Sequence, residues 1–437
     1  SITLGGTLAD AGTVNVGTGD DTVDAGGSNI ANGAAINLGA GDDEVTGLGT
    51  VNSGASIDGG DGTDTLQLQA VGAANVGAFL NFEVFDVATL NKTLDLDILA
   101  TDNTVTEIVG SAALGGASTL TNLGAGVGFR ATGDMGPDAL TLTQETAGEA
   151  TVTIDVDQAA TAGPGDNNDA TTTVDFTNAT SVNAVFDSAS VNEIAGAISN
   201  TQTITLETDA ATSLNITSGG ANAANVLALT DDSDDGGDSE LTEITITGDQ
   251  DLDLSSITVN AATNNLATVD AGGMSGDLTI DLADLANNAE VTLGSGADTV
   301  IVDETVGIGA SEADLESIVG FEKSASATDA DLIAAADVID YSSAVAIGTG
   351  TATADASAAS DGVVTFLGTG PSTLDEAISF VDALTLGADE AVAFEYVGNT
   401  YVFIEDSVAN TDAVIKLTGV TGVTDLGVNA DNNLFVV

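Results

Sequence analysis

The chain is 437 residues long and carries 68 Asp and Glu against four Lys and Arg, a formal net charge of −64 at pH 7. That balance excludes nucleic acid and anionic membrane surfaces as direct partners, because phosphate must be met by basic side chains. With neither Cys nor His present, disulfides, thiolate metal sites, the usual zinc centres and histidine general-base chemistry are excluded together. Self-repulsion on this scale opposes a compact state unless cations condense or bind, so divalent ions or high salt are the expected companions. A halophilic surface is compatible with that expectation. Apolar residues make up 43% and aromatics only 3%, without Trp, which favours thin, regular β layers over a bulky core. The length allows two or three domains, and there is no run of 18 apolar residues to span a membrane. The chain opens at Ser1 with no Met and no signal peptide, which implies processing or a longer gene product.

Residues 1–70 read as a repeat block, opened by Ile2-Thr3-Leu4-Gly5-Gly6. Apolar–polar–apolar triplets, Val14-Asn15-Val16 and Ile36-Asn37-Leu38, lead into glycine-rich loops, and that alternation predicts strands. Residues 59–67, GGDGTDTLQ, fit the G-G-x-G-x-D-x-U-x repeat of calcium-binding parallel β-rolls at every defined position. Copies at 17–23, 39–45 and 294–300 lack only the first glycine, replaced by Val16, Leu38 and Leu293. Glycine permits the positive φ that brings carbonyl oxygens toward one point, Asp supplies charge, and the apolar residue starts an inward-facing strand; the resulting hole suits a hard cation. The aligned Asp21, Asp43 and Asp64 are 22 and 21 residues apart, room for two short strands and two turns. Such loops stack along one edge, with a cation between successive loops. The alternative is ordinary glycine-rich turns.

From 71 to 290 short alternating segments continue at 94–96, 140–142, 151–156, 203–206, 243–247, 252–254 and 278–282, separated by Asn, Asp, Gly and Ser clusters. This predicts an all-β middle, either a solenoid or one or two sandwiches. Within it, residues 231–238 hold five acids and two glycines, a calcium loop or a solvated loop. Asp249, Asp251 and Asp253 alternate on one strand face, better read as wet than as bridging. Residues 291–345 restart the motif and continue into a short helix expected over 312–319, with Leu315, Ile318 and Val319 inward. Phe82-Glu83 and Phe321-Glu322 each follow a loop, as though one unit were used twice. From 346 to 437 the texture becomes α+β. Ser372 and Thr373 cap a helix whose inward face is Leu374, Ala377, Ile378, Val381 and Leu384. A hairpin follows, turning at Gly398-Asn399, then strands at 413–417 and 434–437, together a cap. The apolar end is consistent with an export signal or a last core strand.

On these residues the chain resembles the RTX-type calcium-binding surface-layer and secreted surface-filament proteins of bacteria. The likeness lies in the loops at 16–24, 38–46, 59–67 and 293–301, in Asn81-Phe82-Glu83-Val84-Phe85-Asp86-Val87, and in the tail around Tyr401-Val402-Phe403-Ile404 and Ile415-Lys416-Leu417-Thr418-Gly419-Val420. The resemblance implies a mainly β fold, a parallel β-roll or β-solenoid, and several Ca²⁺ ions. It carries calcium ligation to Gly17, Gly19, Asp21, Gly39, Gly41, Asp43, Gly60, Gly62 and Asp64, and to Asp298. It departs from the family in spacing, 21 to 22 residues instead of nine, so metal is expected along one edge only, and the loop at 294 stands without an evident stacking partner. The function it implies is structural: an exported, extracellular protein that self-assembles with calcium into a cell-surface layer or filament, its partners copies of itself and, secondarily, cell-surface polysaccharide. A calcium-stabilised adhesin or ligand-binding module is the alternative, although a chain without Trp and with three Tyr is poorly equipped to grip sugars. No nucleophile or base is marked out by spacing, so no enzyme is expected.

Overall fold

The computed structural model describes residues 1–155, 173–187, 201–207, 210–221, 224–231, 240–259, 265–286, 288–302, 315–341, 343–358, 360–405 and 412–437. Over these the chain is mainly β, dominated by parallel ladders and without a closed barrel. It divides into two compact units, Ser1–Ala211 with Gly220–Asn222, and Thr212–Gly219 with Ala223–Val437.

The first unit opens with β1 (Ile2–Thr3), β2 (Thr13–Thr18), β3 (Thr22–Asp24), β4 (Ala35–Ala40), β5 (Glu44–Thr46), β6 (Ser56–Asp61), β7 (Thr65–Gln67), β8 (Phe79–Leu80) and β9 (Val84–Asp86). The odd-numbered strands form one parallel ladder and the even-numbered strands another. Each pass of the chain therefore contributes one strand to each ladder, and like residues fall opposite like. Val14, Ile36, Ile57 and Phe79 form one column, and Ile2, Val23, Val45, Leu66 and Phe85 another. Because strand side chains alternate between faces, every second residue joins the interior: Ile36, Ile57, Val45 and Leu66 are wholly buried, as are Phe79 and Phe85. The second column runs on from Phe85 through Ile108, Phe129, Val152 and Ala184, beside a further column of Leu94, Leu120, Leu142 and Phe176, all in parallel register.

The second unit repeats the scheme. Leu214, Ile244, Val269, Val291, Ile318 and Leu417 align across successive parallel strands, as do Leu254, Ile280, Val300 and Ile339. Sandwiches pair their strands antiparallel; among the described residues antiparallel ladders fall after residue 337.

There the expected helix forms over Leu374–Asp382. The Thr373 hydroxyl accepts from the Glu376 amide at 3.1 Å while the Glu376 carboxylate takes the Ser372 amide and hydroxyl at 2.7 and 2.6 Å, a reciprocal cap. Its buried face packs on Phe394, Tyr401 and Phe403, with Phe394 stacked on Tyr401 at 5.2 Å. The hairpin turns one residue earlier than expected, at Val397-Gly398, with Tyr396 opposite Asn399. Asn399 is engaged instead by the Gly419 amide, which donates to its side-chain oxygen at 2.9 Å. The helix expected over 312–319 is corrected: Ser317–Val319 is a strand between Glu290–Thr292 and Ala413–Thr418, with Leu315 and Ile318 buried and 312–314 outside the described residues. The β-branched pair Ile318-Val319 outweighs a spacing too short to distinguish helix from strand.

Candidate metal centre

The glycine-rich loops lie where β2, β4 and β6 end. Gly17, Gly39 and Gly60 pair in register at φ +128°, +121° and +106°, and Gly19, Gly41 and Gly62 follow at +99°, +136° and +146°. These angles favour glycine. Stacking adds a second demand: a Cβ on Gly39, Gly60 or Gly62 would collide with the carbonyl of Gly17, Gly39 or Gly41 in the pass before.

Two tracks of carboxylates run along this stack. On the outer one Asp20 Oδ1 accepts from the Asp42 amide at 3.0 Å and Asp42 Oδ1 from the Thr63 amide at 2.9 Å. On the inner one the direction reverses: Asp43 Oδ1 accepts from the Asp21 amide at 2.8 Å, Asp64 Oδ1 from the Asp43 amide at 2.9 Å, and Glu83 Oε2 from the Asp64 amide at 3.0 Å. The structure thus brings Asp21, Asp43 and Asp64 together as expected and adds Glu83. Sequence held a hint of Glu83, in the Phe82-Glu83 phrase, but no spacing that marks it as the next member.

Asp43 and Asp64 are buried, at 1% and 0% exposure, and in each the second oxygen, Oδ2, has no hydrogen-bond partner. A Cβ on Gly59 would overlap the Asn81 carbonyl oxygen and press against Asp64 Oδ2 at 2.8 Å, so only glycine fits against this carboxylate. Burial first, then the charges of Asp43, Glu83 and Asp42, push the Asp64 carboxyl up to about 6, against the lowering hydrogen bond from the Asp43 amide. Asp86 shows that burial does not by itself orphan an oxygen here. At 2% exposure it accepts from the Ala88 amide and from the Ser111 amide and hydroxyl, at 2.9, 3.3 and 2.8 Å.

Three of the four basic side chains are committed elsewhere. Lys92 Nζ donates to the carbonyls of Gln69 and Val71 at 2.6 Å, Arg130 pairs with Glu107 and Asp155 at 3.0 and 2.9 Å, and Lys323 Nζ donates to the carbonyls of Thr421 and Gly422 at 3.1 Å. The Ser1 amine lies 3.4 Å from Asp21 Oδ1 and is exposed, an interaction of little energetic weight.

In the second unit the loop at 294 is not solitary. Asp251 Oδ1 accepts from the Asp277 amide at 2.9 Å and Asp277 Oδ1 from the Ala297 amide at 2.7 Å, while Asp298 Oδ1 accepts from the Leu278 amide at 2.8 Å and Asp337 Oδ1 from the Asp298 amide at 2.9 Å. The same two opposed tracks recur. The loops themselves differ, for Gly294 and Gly296 do not adopt positive φ. The likeness of Phe82-Glu83 to Phe321-Glu322 also ends at the hydrogen bond: Glu83 offers its carboxylate, whereas Glu322 offers its amide, to Asp337 Oδ2 at 2.7 Å.

Asp251 and Asp253 share the half-buried face of Asp251–Leu254, as the alternation predicts. The acidic segment 232–238 lies outside the described residues. Asp382, Glu405 and Asp412 bring carboxylate oxygens within 4.8 Å of one another, a grouping that sequence spacing does not reveal. None of the three is buried. Among the described residues no helix is long and apolar enough to cross a membrane. Searches against protein-family models and against curated proteins find no match for the chain.

Proposed function

We propose that the chain is a non-enzymatic structural protein whose parallel passes form a calcium-ordered β-solenoid, and that copies of it assemble outside the cell into a surface layer or filament. The observation that carries this reading is the pair of buried aspartates, Asp43 and Asp64, each with one oxygen satisfied by the neighbouring pass and the other by nothing. Leaving a buried acceptor unsatisfied costs ~1–3 kcal/mol, and more when it is charged. A fold that does so at successive positions, beside stacked glycines and without a basic partner, supports a cation as the missing partner.

The donors on offer are carboxylate and carbonyl oxygens, which suit a hard ion such as Ca²⁺. Asp21, Asp43 and Asp64 would hold it together with the glycine loops at 17–19, 39–41 and 60–62, and it would supply positive charge to oxygens that have none. Calcium bridging also gives a reason for like-charged copies to approach, since a net charge of −64 otherwise keeps them apart.

The test is negative-stain microscopy of the pure protein with calcium and with a chelator, alongside thermal melting. Ordered polymers and a higher melting temperature in calcium support the reading. A monomer in both conditions with unchanged melting overturns it and shifts weight to a soluble adhesin.

A further inference from the structure

We propose that the hairpin tip at Val397 is the knob of a contact between copies, seated in the apolar cleft beside the helix Ala330–Ala334 of the next copy. The contact gives the assembly proposed above its joint, and so it rests on that reading.

Among the described residues three large apolar side chains are exposed, Val397 at 77%, Leu332 at 43% and Leu367 at 38%. Of these only Val397 is held in a left-handed backbone, at φ +48°, which strains a β-branched residue. Strain and an exposed apolar side chain at one turn are two penalties, and a partner that covers the side chain explains why both are kept. The tip stands clear of the chain, for a Cβ built on Gly398 would meet nothing within 4 Å. Residues 396–404 carry no charge in a chain with 68 acids. Glu395, just before the tip, has Oε1 engaged by the Val423 amide at 2.8 Å. A like-charged copy meets the least repulsion here.

The matching hollow lies in the same unit. The helix Ala330–Ala334 buries none of its residues, although it contains Leu332 and Ile333. Beside it is a cleft of about 460 Å³ whose apolar lining includes Ile333, Ala334, Ala336, Val338 and Val428. Ala336 and Val338 are buried, whereas Ala334 is exposed. Asp277 and Asp431 also line it, so a loop bearing carboxylates is repelled and an uncharged apolar tip is not. Tip and cleft are different patches of one surface, which makes the contact heterologous. Each copy added leaves one tip and one cleft free, so growth continues into a ring or a filament.

Sedimentation velocity in calcium compares the whole wild-type chain with Val397→Asn, Ala334→Glu and an equal mixture of the two variants, with circular dichroism to confirm folding. Val397→Asn is expected to melt no lower than the wild type, yet to associate about ten- to hundredfold more weakly, the worth of burying one Val. Ala334→Glu, which sets a carboxylate in the cleft, is expected to show a similar fall. In the mixture the intact tip of Ala334→Glu meets the intact cleft of Val397→Asn, so dimers form and nothing longer. Either folded variant assembling like the wild type, or a mixture that stays monomeric, overturns the contact and leaves the assembly of the wild type standing. One variant alone failing to assemble assigns the surviving patch to another partner and likewise overturns it. A wild type that stays monomeric in calcium overturns both. Should Ala334→Glu not fold, Ala430→Glu, exposed on the same cleft, takes its place.

Discussion

At the scale of single residues, Asp64 and Asp298 resemble each other more than their loops do: a buried carboxylate with one oxygen engaged by a neighbouring pass and the other idle. Each has a carboxyl raised from 3.8 to about 6, so the folded state binds protons more readily than the unfolded chain. The stabilising proton is fully present below 3.8 and is lost as pH rises through about 6, so without metal the protein is expected to melt higher near pH 4 than near pH 8. Relief of the net charge acts in the same direction, and Asp64→Asn isolates the local part. Melting in a chelator across pH should show a shallower slope for the variant; an identical slope would deny Asp64 its role. Glycine offers a second contrast. Gly17 and Gly39 share a positive φ, but a Cβ at Gly17 meets open space and one at Gly39 meets the Gly17 carbonyl. Gly17→Ala is expected to cost about 1–2 kcal/mol from the backbone alone, and Gly39→Ala clearly more, as read by denaturant unfolding.

Among the elements, the hairpin Glu390–Tyr396 and Asn399–Glu405 contains an unusual turn. Val397 has φ +48° and Gly398 φ +79°, and Val397 is 77% exposed. A β-branched residue is strained there, whereas Asn tolerates the left-handed region and is preferred in such two-residue turns. Val397→Asn should therefore raise stability by about 0.5–1 kcal/mol; a lower melting temperature would mean that Val397 makes contacts worth keeping. Much of this level was legible in the sequence. The alternation at Val14-Asn15-Val16 and Ile36-Asn37-Leu38 specified strands, and Leu374, Ala377, Ile378 and Val381 specified a helix, because each depends on local periodicity. Residues 317–319 were misread because three residues carry too little period to separate helix from strand, and Ile318 is decided by Val291 and Leu417, distant in sequence. Likewise Asp21, Asp43 and Asp64 were visible as a series, since the spacing that identifies them is also what stacks them. Asp337 was invisible: nothing local marks it, and only the register of Val300 against Ile339 carries it beside Asp298.

For the molecule as a whole, the question is how a net charge of −64 is tolerated. General screening and specific binding make different predictions. Sodium chloride at about 1 M shrinks the screening length to about 3 Å and relieves repulsion between distant carboxylates, but it does not supply a partner to Asp43 Oδ2 or Asp64 Oδ2. Calcium is expected to raise the melting temperature further even in such salt, and Asp43→Asn/Asp64→Asn to remove part of that increment. A calcium effect that vanishes in concentrated sodium chloride would instead describe a merely halophilic surface. The inner track also has a grain. Asp43 grips the amide of Asp21, Asp64 that of Asp43, and Glu83 that of Asp64, so every pass is fastened by its successor. Peeling away the leading pass strips a buried carboxylate of its one hydrogen-bonded oxygen, whereas fraying at the trailing side frees only a neutral amide, the lesser loss. Mechanical wear is thus costlier at one side of the stack than at the other, and pulling from the two ends should yield unequal forces.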